Sequence, residues 1–364
     1  MAADDYAVIA GISNYPDPAV GSLRGSDLDA NAFRAWLVSP TGGAVPEANI
    51  HFINSAAVQD PQGPQPGQPV MPWHARPRED DITRCFDELQ GRAQTLPGRR
   101  IGRRLYIYFA GHGVVSKFAF QPLLNDAALL MANTTAANAP HIFGRIYASY
   151  FMKAGIFDEV ALFMDCCRDV VPTLVPRMLT YADRTAITQN SIDRGYYAFA
   201  TEWSRNSREK EIDGQVRGVF TAALLAGLRG KAADAAGAVT TTSLSEYLRE
   251  HMKDLLTPEE IDDPNIPKRP AIDGEHSMVF AQYAPPRFKA TVKVPATSIG
   301  QRLRVRNGNF DIVYDEPIAV QAWTIELGKA RYLFEIVPGA AALIAQAPVE
   351  QIITLEGDRD VEFV

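Results

Sequence analysis

The chain has 364 residues, of which 46% are hydrophobic and 22% charged, with a formal net charge of −7, a composition typical of a soluble globular protein with a buried core. Its Lys and Arg residues are scattered, which argues against nucleic acid as a partner because phosphate binding needs a clustered cationic face. No apolar stretch reaches the roughly 18 residues of a membrane span, the acidic start MAADDYAVIAG resembles neither a signal peptide nor an anchor, and three cysteines fit reduced thiols in a cytoplasm.

Up to about residue 282, short apolar runs alternate with helix-like segments. The runs suit strands buried on both faces: Tyr6–Gly11, Asn49–Ile53, Arg104–Ala110, Val160–Met164, Tyr196–Thr201 and Ser277–Ala281. The helices predicted between them are Asp27–Val38, Asp80–Gln94, Ile142–Ala154, Gly218–Gly227 and Leu244–Leu256. Ser26 with Asp29, and Ser243 with Glu246, match a helix start signal. This alternation predicts an α/β domain, residues 1–284, with a mostly parallel six-stranded sheet and helices on both faces.

Two stretches within this domain lack periodicity, and the chain's last part changes pattern. Asn54–Pro77 and Val170–Arg194 are predicted to be irregular. After Pro285, strand-like runs follow one another without helices: Phe288–Val294, Arg302–Arg306, Asp311–Tyr314, Ala319–Glu326, Tyr332–Ile336 and Gln351–Leu355. They predict a second, all-β domain of sandwich type at residues 285–364.

Polar clusters follow several of the predicted strands. They are Ser22–Ala30, Ala110–Gly113 and Asp165–Asp169. Because loops at the carboxyl ends of parallel strands meet at one edge of a sheet, we expect His112 and Cys167 to come together there. An imidazole next to a thiol can activate it as a nucleophile. The backbone N–H groups of Gly113 and Cys167 are candidates for an oxyanion hole.

Each of these residue types also has a less specific interpretation. A single His at a strand end is often structural, and a buried Cys often acts as a small apolar residue, as we expect for Cys85 on a predicted helix. A zinc site from His112, His141, Cys166 and Cys167 lacks the paired spacing of structural zinc ligands. We therefore expect no metal and no other cofactor.

The motifs resemble those of the caspase, metacaspase and paracaspase clan. YFAGHG is followed by D-x-C with Cys167 placed 55 positions after His112, and a caspase signature has the His about 50 residues before the Cys. VIAGISNYPD and GSDLDANAF are similar to the first strand and the following segment of bacterial caspase-like domains. The resemblance covers roughly residues 5–282. It implies a cysteine endopeptidase acting on proteins, with Cys167, third in D-x-C, as nucleophile.

The same resemblance suggests a specificity. Metacaspases hold a basic side chain between two aspartates, at positions that correspond here to Asp29 and Asp165. Two carboxylates bind a guanidinium through charge-assisted hydrogen bonds. Caspases that cut after Asp carry an arginine where this sequence has Leu23. Cleavage after Arg, or Lys, is therefore expected, and Asp specificity through Arg24 stays open as the alternative.

Val170–Arg194 corresponds to the stretch that many caspase-like enzymes cut on maturation. The candidate processing sites are Arg177, Arg184, Arg194, Arg205, Arg208 and Arg217. Bacterial relatives of this kind resemble regulated effectors of cell death or phage defence, which implies an activating protease or regulatory partner. Calcium dependence cannot be carried over because no ligand cluster matches. A non-catalytic scaffold, with the β domain binding a partner, is the alternative of another class.

Overall fold

The computed structural model describes residues 3–55, 70–116, 127–167, 169–171, 179, 181, 194–201, 209–274, 277–338 and 349–363. The chain divides into two compact units, Met1–Ala232 with Val239–Ala281, and Ala233–Ala238 with Gln282–Val364. That residues 1–284 and 285–364 form two independently folding domains remains a prediction from the sequence. In the described residues, no helix combines the length and hydropathy needed to span a membrane.

The first 282 residues contain strands and helices in alternation. The strands are β1 (Asp5–Gly11), β2 (Ile50–Asn54), β3 (Gly102–Gly111), β4 (Gly113–Ser116), β5 (Ala128–Leu130), β6 (His141–Phe143), β7 (Phe157–Cys166), β8 (Asp169–Val171), β9 (Gly195–Phe199), β10 (Glu209–Ile212), β11 (Gln215–Gly218), β12 (Ala238–Thr240), β13 (Ala271–Asp273) and β14 (Val279–Gln282). The helices are α1 (Ser26–Val38), α2 (Glu79–Gln94), α3 (Gly144–Lys153), α4 (Val219–Ala226), α5 (Thr241–His251) and α6 (Pro258–Asp262).

The central sheet has six strands in the order β13-β9-β7-β3-β1-β2. All neighbours are parallel except β13, which runs antiparallel to β9. The predicted fold class is confirmed. One strand assignment was wrong: Ser277–Ala281 does not join this sheet, since β14 pairs with β12. The sixth strand, β13, has only three half-buried residues, too few to produce a periodic pattern.

Helices cover both faces of the central sheet. Successive side chains of a strand point to opposite faces, so strands that are apolar throughout have apolar side chains to bury on both sides of the sheet. On one face, Phe33 of α1 stacks on Tyr108 of β3 with ring centroids 4.4 Å apart. On the other, Ile107 belongs to a buried apolar cluster that includes Phe86 of α2 and Phe151 of α3. These aromatic residues fix the two helical layers against the sheet.

The helix starts differ from those predicted. Helix α1 has Gly25 at its N-cap and no side-chain cap, so Asp29 is available for other contacts. Helix α5 is capped one turn earlier than expected, by Thr240 and Ser243. The helix predicted from Ile142 begins at Gly144, because the preceding residues form β6.

The second unit contains two sheets with one shared apolar core. Its strands are β15 (Arg287–Lys293), β16 (Arg302–Arg306), β17 (Ile312–Pro317), β18 (Ala322–Gly328), β19 (Ala330–Val337), β20 (Val349–Leu355) and β21 (Arg359–Glu362). The sheet orders are β18-β15-β21 and β17-β16-β19-β20. Val292 from one sheet and Val305 and Phe334 from the other lie in the same buried cluster, the arrangement of a sandwich. Strand β21, which the sequence analysis missed, pairs parallel with β15.

Candidate active site

The ends of β3 and β7 bring the predicted His and Cys to the same edge of the sheet. Gly111 of β3 and Cys166 of β7 are partners in this parallel pair. His112 and Cys167 are the residues that follow directly on the two strands. The two strands therefore place His112 and Cys167 in adjacent turns.

The turn after His112 lies directly against the turn of the cysteines. A β-carbon placed on Gly113 would lie 2.5 Å from Cβ of Cys166 and 2.6 Å from the carbonyl oxygen of Cys167. These separations are far below van der Waals contact, so a side chain at position 113 would push the two turns apart. Glycine at this position permits the close approach of the two turns.

Tyr15 holds the backbone and the ring of His112. The His112 backbone N–H donates to the Tyr15 hydroxyl at 3.1 Å, and this hydroxyl donates to the Leu130 carbonyl at 3.0 Å. The Tyr15 and His112 rings meet edge to face, with centroids 4.8 Å apart. Burial raises the pKa of Tyr15 well above its ordinary value, so the hydroxyl keeps its proton. Tyr15 was not predicted from the sequence, because nothing in ISNYPD distinguishes it from a loop residue.

A backbone carbonyl determines which nitrogen of His112 can act as a base. Nε2 of His112 lies 3.0 Å from the carbonyl oxygen of Gly21. A carbonyl only accepts hydrogen bonds, so Nε2 carries the hydrogen and Nδ1 of the neutral ring is unprotonated. Nδ1 is therefore the atom able to take a proton from a thiol.

The three cysteines lie in different environments. Cys85 and Cys166 are buried, whereas Cys167 is partly exposed. Burial raises the pKa of the Cys85 thiol to about 12. Burial, followed by the nearby charge of Asp165, raises the pKa of the Cys166 thiol well above its ordinary value. Cys166 belongs to the buried apolar cluster, whereas Cys167, the candidate nucleophile, is partly exposed.

Asp29 and Asp165, the predicted specificity residues, lie together at the start of α4. The Gly218 N–H donates to Asp29 at 2.7 Å. The Thr221 N–H and hydroxyl donate to one oxygen of Asp165 at 3.1 Å and 2.6 Å. Both carboxylates are almost fully buried, and the N-terminus of a helix favours negative charge. They therefore also stabilise α4, a role that the sequence did not indicate.

Arg217 supplies a positive charge to Asp29. Its Nε donates to Asp29, forming an ion pair inside the protein. The pKa of Asp29 is raised to about 7, first by burial and then by the charge of Asp165, while the Arg217 hydrogen bond lowers it. From the sequence, Arg217 was expected only as a processing site, since nothing local to it indicates an ion pair with Asp29.

The other predicted residues lie apart from this cluster or outside the described residues. Arg177, Arg184, Arg205 and Arg208 fall outside the described residues. Arg194 is exposed just before β9, and Arg24 is exposed with its backbone N–H donating to Glu209 at 2.8 Å. His141 bonds the Ala139 carbonyl through Nδ1 at 2.8 Å. Across the described part of the chain, no three His, Cys, Asp or Glu side chains are grouped as metal ligands.

Comparison with known proteins supports a protease relationship. No family model matches the chain. A curated protein named a probable protease, from a Desulfuromonadales bacterium, is 28% identical over 232 residues. The match covers 62% of this chain and 26% of that protein, so the chain spans about a quarter of the length of this relative. The resemblance inferred from the motifs thus agrees with a relative that carries the name of a protease.

Two solved structures are also similar. The crystal structure of caspase-1 from Spodoptera frugiperda has a TM-score of 0.48 and 13% identity, and the match covers 77% of this chain and 90% of that one. The structure of pro-Sf-caspase-1 has a TM-score of 0.44 and 12% identity, and the match covers 77% of this chain and 92% of that one. Identities this low transfer no residue role to this chain.

Proposed function

We propose that the protein is a cysteine endopeptidase that hydrolyses protein substrates after Arg, or after Lys. The observation that carries the proposal is the pairing of Gly111 with Cys166, which brings His112 and Cys167 to adjacent turns. The partial exposure of Cys167 and the contact between Nε2 of His112 and the Gly21 carbonyl add support.

In the proposed mechanism, Nδ1 of His112 takes the thiol proton of Cys167. The thiolate attacks the scissile carbonyl carbon, and the N–H groups of Gly113 and Cys167 stabilise the oxyanion that forms. The imidazolium then gives its proton to the leaving amine as the C–N bond breaks. Water, deprotonated by His112, hydrolyses the thioester and restores the thiol. No metal or organic cofactor is needed, because thiol and imidazole supply the nucleophile and every proton transfer.

The proposed specificity rests on Asp29 and Asp165. Two buried carboxylates beside one another repel each other unless a cation lies close to them. A substrate guanidinium offers that charge with a fork of donors, whereas a Lys ammonium offers it from a single point. Arg is therefore the preferred residue before the cut bond.

Activation and biological setting belong to the same proposal. The enzyme would act as a regulated effector, switched on by a partner or by cleavage at the candidate arginines. Two of these arginines lie among the described residues: Arg194 is exposed, whereas Arg217 lies within β11 and is paired with Asp29. Intact mass of the wild type and of Cys167→Ala, incubated with and without an activating protease, tests processing. Uncut protein under every condition contradicts it.

A panel of fluorogenic peptides tests the main proposal. Peptides ending in Arg, Lys, Asp or Ala should be incubated with the wild type and with Cys167→Ala. Cleavage of the Arg peptide that disappears in Cys167→Ala is expected. Preference for the Asp peptide, lost in Arg24→Ala, would favour the alternative specificity.

The scaffold alternative makes a different prediction for the thiol. A scaffold has no need of an activated cysteine, so Cys167 would react with a labelling reagent no faster than Cys85 at pH 6, and no peptide would be cut. A selectively reactive Cys167 at that pH supports the peptidase.

A further inference from the structure

The pair of acids at α4 already has an occupant within the chain. Nε of Arg217 donates to Asp29, and the Arg217 side chain is mostly buried. We infer that Arg217 is a specificity-determining residue that competes with the substrate arginine for Asp29 and Asp165. This inference rests on the proposed function, because it concerns the same specificity site.

The position of Arg217 is secured by the hairpin of β10 and β11. The Glu209 carboxylate accepts the backbone N–H groups of Arg24 and Gly25 at 2.8 and 2.7 Å. Nζ of Lys210 donates to Glu260 at 2.9 Å and to the Leu255 carbonyl at 3.0 Å. The hairpin is therefore attached on one side to the segment before α1 and on the other to the start of α6. These contacts hold the hairpin that carries Arg217 in place.

A substrate arginine would reach Asp29 in competition with Arg217, which is already paired with it. Asp29 and Asp165 carry two negative charges when ionised, and Arg217 supplies one positive charge. A substrate arginine entering beside Arg217 would meet a like charge and a carboxylate that is already paired. To pair with Asp29 it must displace Arg217, so the binding energy of the substrate is reduced by the strength of the internal pair.

Arg217 is an incomplete match for the site. Its Nη2 is buried without a hydrogen-bond partner among the described residues, and an unpaired buried donor is unfavourable. An arginine at the end of a flexible peptide can orient both nitrogens of its fork toward the acids. The substrate arginine can therefore replace Arg217. A change that loosens the hairpin of β10 and β11 raises the affinity of the site for the substrate. A signal that detaches Glu209 would act as an activator.

Binding of acetyl-arginine amide, measured by calorimetry in the Cys167→Ala background, tests the inference without requiring turnover. Adding Arg217→Ala should lower the Kd at least about tenfold, and adding Asp29→Asn to that variant should abolish the gain. Glu209→Ala, which leaves the acids and Arg217 intact, should lower the Kd to a smaller extent. Arg229→Ala removes an exposed arginine outside the hairpin and should have no effect. Acetyl-alanine amide should bind no better to any variant.

Unchanged or weaker binding in Arg217→Ala and Glu209→Ala overturns the inference, provided that thermal melts show folded proteins. If Arg217→Ala does not fold, Arg217→Gln and Glu209→Ala decide by the same criterion. The peptide panel separates this result from the peptidase proposal. A gain in binding without Cys167-dependent cleavage, even after incubation with an activating protease, supports the competition and overturns the peptidase, and cleavage without a gain does the reverse.

Discussion

Arg217 is paired with Asp29 across 188 positions of the chain. The pair joins the end of β11 to the first turn of α1, on the face of the sheet where Asp165 also lies. The acid that the motifs assign to substrate recognition is thus neutralised from within the protein. This relationship connects the specificity of the proposed peptidase to the position of one hairpin.

Selective reactivity of the thiols is the first prediction. Iodoacetamide at pH 7.5 should modify Cys167, while Cys85 and Cys166 should react at least roughly 100-fold more slowly, because burial raises their pKa and removes the reactive thiolate. Peptide mass spectrometry after timed labelling measures the three rates. Equal labelling of Cys85 and Cys167 would contradict the arrangement, and 4 M urea provides the control in which all three become accessible.

Removing the hydroxyl of Tyr15 should impair His112 without removing its ring contact. Tyr15→Phe loses the hydrogen bonds to the His112 N–H and to the Leu130 carbonyl. We expect kcat for an Arg peptide to fall about tenfold with KM nearly unchanged, because a positioned base contributes chiefly to the chemical step. The pH profile of kcat should also shift. A change in KM alone, with kcat and its pH profile unaltered, would indicate a purely structural role for Tyr15.

Substitutions at Asp165 and Thr221 distinguish the effect of the Asp165 charge on substrate recognition from its effect on the stability of α4. Asp165→Asn keeps the shape but removes the negative charge, and we expect kcat/KM for an Arg peptide to fall roughly 100-fold. Thr221→Val removes the hydroxyl that donates to Asp165 and should cost about 1–3 kcal/mol of stability while Arg preference persists. Urea denaturation and the peptide panel give the two quantities. Loss of Arg preference in Thr221→Val but not in Asp165→Asn would refute the assignment.

The pKa of Asp29 predicts a stability that depends on pH. Its value rises from 3.8 to about 7, through burial and the charge of Asp165 and against the opposing effect of Arg217. Tyr108 also faces these acids. Between about pH 4 and 7 the folded protein binds a proton that the unfolded chain lacks, so this contribution to the free energy of unfolding falls as the pH rises.

Asp29→Asn should remove this contribution. Denaturant titrations of both proteins at pH 5 and pH 7.5 measure it, and the wild type should lose more stability between the two values than the variant. The same loss in both proteins would show that Asp29 titrates near its ordinary value.

Arg104 provides a prediction about the core rather than the site. Its guanidinium is buried and bonds Glu159 at 2.6 Å, the Tyr106 hydroxyl at 2.8 Å and the Val279 carbonyl at 2.9 Å. Arg104→Met removes the buried partner of Glu159, which keeps a 3.8 Å contact with Arg103, and should destabilise by about 3–5 kcal/mol. Arg100→Met, which removes an exposed pair with Asp158, should cost at most about 1 kcal/mol. Equal midpoints of thermal unfolding in the two variants would contradict this account.

Local patterns determined much of the fold and the candidate pair. Apolar runs encoded five of the six strands of the sheet, because a strand buried on both faces needs apolar residues at successive positions. The GHG and D-x-C motifs identified His112 and Cys167 because they follow such strands. Strands β10 and β13 were missed, since both are short and at most half buried, and a polar edge segment leaves no period in the sequence.

Tertiary structure alone decided the partners of these residues. The sequence indicated Asp29 and Asp165 as a pair but gave no sign that Arg217 would reach Asp29, that Thr221 would bond Asp165, or that Tyr15 would hold His112. Each contact joins residues that are distant in the chain, and the choice among many equivalent arginines or hydroxyls depends on where the packed strands and helices bring them. Sequence periodicity reports which face of an element is buried, whereas the identity of the neighbour across that face is set only when the chain has folded.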